Sequence, residues 1–480
     1  MAFSSKDWRQ IRWPEVMQEL RRMQAEIVKA ERAGQQRRVF TLQDQLVQSQ
    51  AARLASVRQV TSNDGKYTPG VDGDIWKSPQ QKMQAVEKLA QKGYRPEAAR
   101  RVYIPKDDDR TRPLGILTMT DRAMQALYAL ALDPVAETRA DPHSYGFRKY
   151  RGTADAILAC ADIFAEKDPP QWVLEADIEE CFDSISHAWL LRHIPLDNTL
   201  LRGWLQAGYM EKGKFHHVRR GLPQGGIISP ILANMTLDGM EAMLTTYFQH
   251  NAKISARSKI AFVRYADDFI VAGASKKMLQ DEVKSLLSNF LKERGMRFSI
   301  KKTTITPVSE GFDFLGYHLK LDSALFGRGT VKITPSQKSI RRVLRSIEQA
   351  ISGRPEAGNA QLIQVINPII SGWTRFYAFT DAREAFIALD RAVYEALYAR
   401  VKQRAPHLWQ RKQREACFAK IDKESPALRG EQGEQLFCAR QTPFAPRIQI
   451  NPACNAYDPA WAAYLHKRQS EQQFQTFSKK

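Results

Sequence analysis

Two adjacent aspartates, Asp267 and Asp268, stand between the apolar runs Ile260-Ala261-Phe262-Val263 and Phe269-Ile270-Val271. An apolar strand, an acidic pair and a second apolar strand predict a hairpin with carboxylates at its tip, where Asp is among the few residues that tolerate positive φ. Two like charges there repel, and an intervening cation relieves the repulsion. A second predicted strand, residues 171–177, ends in Asp177 and runs into Ile178-Glu179-Glu180-Cys181-Phe182-Asp183. If the two strands are neighbours, three carboxylates converge. Such a trio can hold two Mg2+ ions roughly 3.5–4 Å apart, one activating an attacking hydroxyl and the other bracing a pyrophosphate leaving group. That chemistry is nucleotidyl transfer. A lone Asp-Asp pair is more often a turn or a helix cap, so the reading rests on its companions.

The companions come in order along the chain. Between the acidic blocks lies Gly221-Leu222-Pro223-Gln224-Gly225-Gly226, whose glycines allow close backbone approach to a base or sugar and whose Gln224 offers an amide. Upstream, Lys106 and Arg112 flank the acidic loop Asp107 to Asp109, and a Lys point charge beside an Arg fork suits a triphosphate. The formal net charge is +20 with a pI near 9.7. Residues 1–60 carry 11 basic and 6 acidic side chains and residues 335–480 carry 23 and 13, so most of the excess lies outside the middle of the chain. Basic flanks around a catalytic centre suit a polyanion, whose binding releases counterions and weakens with salt.

The elements that must position these groups follow from periodicity. From about Trp13 to Val60, Val39, Leu42 and Leu46 recur at helical spacing, and two helices are expected. Residues 61–73 read as a loop. From Arg100 to about Thr334 short β-like runs alternate with helical stretches, predicting an α/β or α+β unit. Beyond Pro335, Ile340, Val343, Leu344, Ile347 and Ile351 form one apolar stripe, with Lys338, Arg341, Arg342 and Arg345 on the remaining surface. Residues 362–370 and 382–401 complete a small helical bundle, and the Gln-rich tail from about Pro406 has no readable fold. Five cysteines without a CxxC pair, no secretory signal core and no charge-free apolar span predict a reduced, cytoplasmic protein without zinc or membrane contact, of bacterial type and nucleoid-associated only when bound to DNA.

Taken together, the blocks RPLGILTMTDRAMQAL, DPHSYGFRKYRGTADAI, LEADIEECFDSI, GLPQGGIISPILANMTL, FVRYADDFIV, IKKTTIT and FDFLGYHL closely resemble the reverse transcriptase of group II introns. The amino-terminal extension through TPGVDG and the segment INPIISGWTRFYAF share the resemblance, which covers about residues 10–465. It implies a right-hand polymerase of fingers, palm and thumb. The expected division is an amino-terminal extension at 1–80, fingers and palm at 81–334, a helical thumb or maturase domain at 335–405 and a DNA-binding-like segment at 406–480.

The resemblance also implies roles. Asp177, Asp267 and Asp268 match metal-binding aspartates, with the Ile178 carbonyl as a further ligand of Mg2+. Phe182 matches the steric gate, an aromatic edge that leaves no room for a 2′-hydroxyl. Lys106, Arg112, Gln224 and Lys302 match residues around the deoxynucleoside triphosphate. The implied partners are an RNA template, the intron's own RNA, and a DNA target or primer. Cys417, Cys438 and Cys454 are too scattered for the HNH endonuclease that many members carry, so second-strand cleavage is expected to be absent. The usual Asn before KT is replaced by Ser299. Two other readings stand beside mobile-intron reverse transcription. One is a domesticated relative in DNA repair, phage defence or CRISPR spacer acquisition; the other is a splicing factor that only binds RNA.

Overall fold

The computed structural model describes residues 7–105, 111–250, 258–322, 330–404, 418–422, 425–430 and 433–477. Lys106 lies outside them. The chain divides into two compact units: the described residues of Met1–Ala156, Leu174–Ile305 and Ile450–Lys467 form the first, and those of Ile157–Val173, Thr306–Gln449 and Arg468–Lys480 the second.

The first unit opens with three helices, α1 (Trp13–Arg32), α2 (Gln36–Gln48) and α3 (Gln50–Ser62), where the sequence pattern predicts two. Ser49 is the hidden boundary. Its backbone is extended and its hydroxyl accepts from the Ala52 N–H at 3.1 Å, starting a new helix without any Gly or Pro to announce it. After α4 (Pro79–Lys88), the hairpin of β1 (Ala99–Pro105) and β2 (Thr111–Ile116) is extended by β4 (Tyr209–Glu211) and β5 (Lys214–His216), in the order β2-β1-β4-β5. Helix α5 (Met119–Arg139), capped by Thr118, is buried along most of its length and forms the core on which α1 to α3 pack.

A second four-stranded sheet runs β6-β7-β3-β8, from β6 (Ala261–Tyr265), β7 (Asp268–Gly273), β3 (Trp172–Ala176) and β8 (Thr304–Pro307). Phe262, Val263, Phe269, Ile270, Val271, Val173 and Leu174 are all buried, as a sheet covered on both faces requires.

In the second unit, β9 (Phe312–Phe314), β10 (Tyr317–Asp322) and β11 (Thr330–Pro335) form an antiparallel sheet. The helix Gln337–Ser352 buries Val343, Ile347 and Ile351 and packs with the helices Asn359–Tyr377 and Arg383–Arg404. Lys338, Arg341, Arg342 and Arg345 are exposed. Part of the tail does fold: Phe418–Asp422 pairs with Ser425–Leu428, and Ala462–Phe477 is helical. Among the described residues, Cys160, Cys181, Cys438 and Cys454 form no disulfide, and no helix is long and apolar enough to cross a membrane.

Candidate active site

Strands β6 and β7 pair from Ala261 with Ala272 to Tyr265 with Asp268, so Ala266 and Asp267 are the two turn residues. The positive φ, 57°, falls on Ala266 and not on an aspartate. Asp267 is half-buried and Asp268 exposed. β3 is the sheet neighbour of β7, and Asp177 follows its last residue. The Asp267 carboxyl is held above its ordinary pKa by burial first and by the Asp177 charge among further causes, with Arg112 and Lys302 pulling the other way. These four side chains therefore share one electrostatic neighbourhood.

The segment after β3 is tied on one edge. The Ser299 N–H donates to the Asp177 carbonyl at 2.8 Å and the Glu179 N–H donates to the Arg297 carbonyl at 2.9 Å, flanking an Ile178–Phe298 bridge. In that antiparallel pattern the Ile178 carbonyl turns away from Phe298. Lys302 donates to the Asp177 carboxylate. Among the described residues, no three or more His, Cys, Asp or Glu side chains form a ready cage for a metal ion. The acidic oxygens nevertheless fit a hard divalent cation: they are carboxylates, two of them are half-buried, and their repulsion is met by neighbouring cations.

The turn is fixed from beneath by residues that the sequence pattern did not single out. Arg264 has 0% of its surface exposed and pairs with the buried Asp238 carboxylate. It also donates to the Asn234 side-chain oxygen and to the Ala266 carbonyl, both at 3.2 Å. Alongside runs the SYG segment: the Tyr145 N–H donates to the Arg264 carbonyl at 2.8 Å, and a Cβ at Gly146 would stand 2.4 Å from the Ala266 nitrogen. The available signal was a charged residue inside an apolar strand, because a buried guanidinium needs a buried partner.

Phe182 lies on the short helix Cys181–Ser184, which follows Glu180 at φ 46°. The GLPQGG loop wraps this helix. The Gly221 and Leu222 N–H groups donate to the carbonyls of Ile185 and Phe182, at 2.7 and 2.6 Å. Gln224 gives its amide to Asp183 at 3.0 Å, and its carbonyl accepts from the Gly115 N–H of β2 at 2.7 Å. Glycine is needed at 221, where φ is 85° and a Cβ would meet the Asp183 backbone at 2.7 Å, because the loop touches protein backbone there. The same loop thus joins β2, which carries the exposed Arg112, to the helix that carries Phe182.

Family models match along most of the chain. Residues 8–89 match the N-terminal domain of reverse transcriptase, 104–319 match reverse transcriptase (RNA-dependent DNA polymerase), and 340–418 match the group II intron, maturase-specific domain. Protein YkfC of Escherichia coli (strain K12) is 33% identical over 337 residues, covering 61% of this chain and 87% of that one. The group II intron-encoded protein LtrA of Lactococcus lactis subsp. cremoris is 30% identical over 336 residues, covering 56% of this chain and 54% of the relative, so the chain spans about half of LtrA. The putative COX1/OXI3 intron 1 protein of Saccharomyces cerevisiae is 28% identical, covering 60% of this chain and 40% of that one. With the three matched segments in this order around a right-hand polymerase core, the chain belongs to the group II intron family of reverse transcriptases and maturases.

Proposed function

We propose that the chain is an RNA-directed DNA polymerase that joins deoxynucleoside triphosphates to a primer 3′-hydroxyl, and that it also binds intron RNA to assist splicing and mobility. The observation that carries this reading is the strand adjacency of β3 and β7, which puts Asp177 within electrostatic reach of Asp267. Reverse transcriptases as a family use divalent metal ions. Here Asp177, Asp267, Asp268 and the Ile178 carbonyl would hold two Mg2+ ions, which when bound lower the pKa of the attacking hydroxyl and balance charge on the leaving pyrophosphate.

The protein's own groups supply position and charge around that centre. Arg112, exposed near the start of β2, presents a fork to the triphosphate, and Lys106, outside the described residues, is assigned to the same ligand. Lys302 tempers the carboxylates through Asp177 and is within reach of the same phosphates. Gln224 and Asp183 hold the loop and helix around Phe182, whose edge excludes a 2′-hydroxyl. The exposed row Lys338, Arg341, Arg342 and Arg345 offers phosphate contacts to RNA or a primer–template duplex. A cytoplasmic setting follows from these partners.

Primer extension on an RNA template tests the metal assignment. Asp177→Ala and the double change Asp267→Ala, Asp268→Ala are each expected to lower extension about a thousandfold or more while RNA binding is retained. Extension within tenfold of the parent protein would overturn the assignment.

A further inference from the structure

Phe147 is a large aromatic residue in an unfavourable place. It lies in the SYGFRKYRG segment with φ at 60°, a region that bulky L-residues avoid, and 55% of its surface is exposed. Neither feature serves the core. Its ring stands edge-to-face against Phe182, with centroids 6.5 Å apart and planes at 86°. Phe147 itself has left-handed backbone, and the short helix that carries Phe182 starts directly after left-handed Glu180.

The strain at Phe147 is held by the catalytic hairpin. The preceding Gly146 is pressed against the Ala266 nitrogen, and its carbonyl accepts from the Asn234 side-chain amide at 2.8 Å. Asn234 in turn accepts from Arg264. The ring that touches Phe182 is therefore anchored to the same turn that presents Asp267. Strained residues persist where their surroundings over-determine them, and they concentrate at sites that use the imposed geometry.

We infer that Phe147 is a positioning residue for sugar selection: its ring braces the edge of Phe182 and so fixes the distance between that edge and the 2′ position of the incoming nucleotide. The inference rests on the gate role proposed for Phe182. An aromatic gate with no lateral support could rotate about its side-chain bonds and admit a hydroxyl. An edge-to-face neighbour limits that rotation through the attraction between ring edge and ring face. A brace tied to the hairpin also keeps the gate in register with the carboxylates.

The test compares kcat/KM for a deoxynucleotide and its ribonucleotide on one primer–template in Phe147→Gly, Phe147→Tyr, Phe182→Ala and the double variant Phe147→Gly, Phe182→Ala. Glycine removes the ring and relieves the positive φ, so Phe147→Gly keeps or raises Tm while its deoxy-to-ribo ratio falls about two- to tenfold. Phe147→Tyr restores the ratio. Phe182→Ala lowers the ratio further, and the double variant falls no lower than Phe182→Ala alone. An unchanged ratio in Phe147→Gly beside a fall in Phe182→Ala overturns the brace and leaves the gate standing. A ratio unchanged by Phe182→Ala overturns both. Additive losses in the double variant would mean that Phe147 meets the nucleotide directly, which overturns the positioning role.

Discussion

The β9–β10 and β6–β7 hairpins each turn on two residues, and each puts a non-glycine residue at positive φ in the first of them. Between β9 and β10 the turn residues are Leu315 and Gly316, at φ 52° and 87°. Glycine takes the second position without a Cβ, and the Gly316 carbonyl accepts from the Tyr377 hydroxyl and the Ser336 N–H, both at 2.9 Å. Between β6 and β7 the turn residues are Ala266 and Asp267, with no glycine. Ala266 bears a left-handed backbone worth about 1–2 kcal/mol of strain. There the conformation is imposed from outside, by the Arg264 guanidinium beneath the Ala266 carbonyl and by Gly146 against its nitrogen. The β9–β10 turn needs positive φ at both positions, and glycine supplies the second of them. A turn that must hold a carboxylate in one place draws rigidity from a buried charge pair.

Removing that pair should have the largest effect. Arg264→Met leaves Asp238 buried without its cation, at a cost of about 3–5 kcal/mol. The sign of its pH dependence follows from Asp238, whose pKa burial pushes up to about 6 while Arg264 opposes the rise. A carboxyl with a folded pKa above its unfolded value adds stability below the unfolded value and loses it as pH rises through the folded one. Without Arg264 the folded pKa climbs further, so the Tm deficit of Arg264→Met is larger at pH 8 than at pH 5. Equal deficits at the two pH values would detach Asp238 from Arg264.

Next in size is Gly146→Ala, which acts on position more than on stability. The new Cβ would stand 2.4 Å from the Ala266 nitrogen, and backbone on both sides must shift. A displacement near 1 Å at a reacting centre costs about a hundredfold in rate. The expected outcome is primer extension lowered about 10- to 100-fold at saturating nucleotide, with the far-ultraviolet circular dichroism of the parent. Parental extension would mean that the turn tolerates the shift and needs no such anchor.

This contrast also explains what could be read from the chain alone. The acidic pair, Asp177 and the apolar strands around them were legible because each lies in a short continuous pattern, and the hairpin followed from two apolar runs separated by the acidic pair. Arg264 stands in the same strand, yet its partner Asp238 is 26 residues upstream beside a helix end, and nothing in their spacing pairs them. Gly146 was legible as a glycine but not as a contact, since its neighbour Ala266 is brought near only by the parallel bridge of Ser144 with Arg264. The GLPQGG glycines suggested approach to a ligand; Gly221 in fact approaches the Asp183 backbone. The third amino-terminal helix was hidden because Ser49 caps it through one hydroxyl, a signal no stronger than many serines give.

The smallest effect separates the two turns most cleanly. Ala266→Gly relieves the positive φ at the cost of extra freedom in the unfolded chain, for a net gain of about 0.5–1 kcal/mol and a rise of roughly 1–3 °C in Tm. The same change loosens the turn that carries Asp267, so extension falls a few-fold although the protein is more stable. Gly316→Ala runs the other way: a Cβ at φ 87° destabilises by about 1–2 kcal/mol, and extension well below the Tm is unaffected. Thermal unfolding and single-turnover extension on the two variants decide the matter. If Ala266→Gly lowers Tm, the surroundings do not hold the alanine under strain, and the two hairpins differ in sequence only.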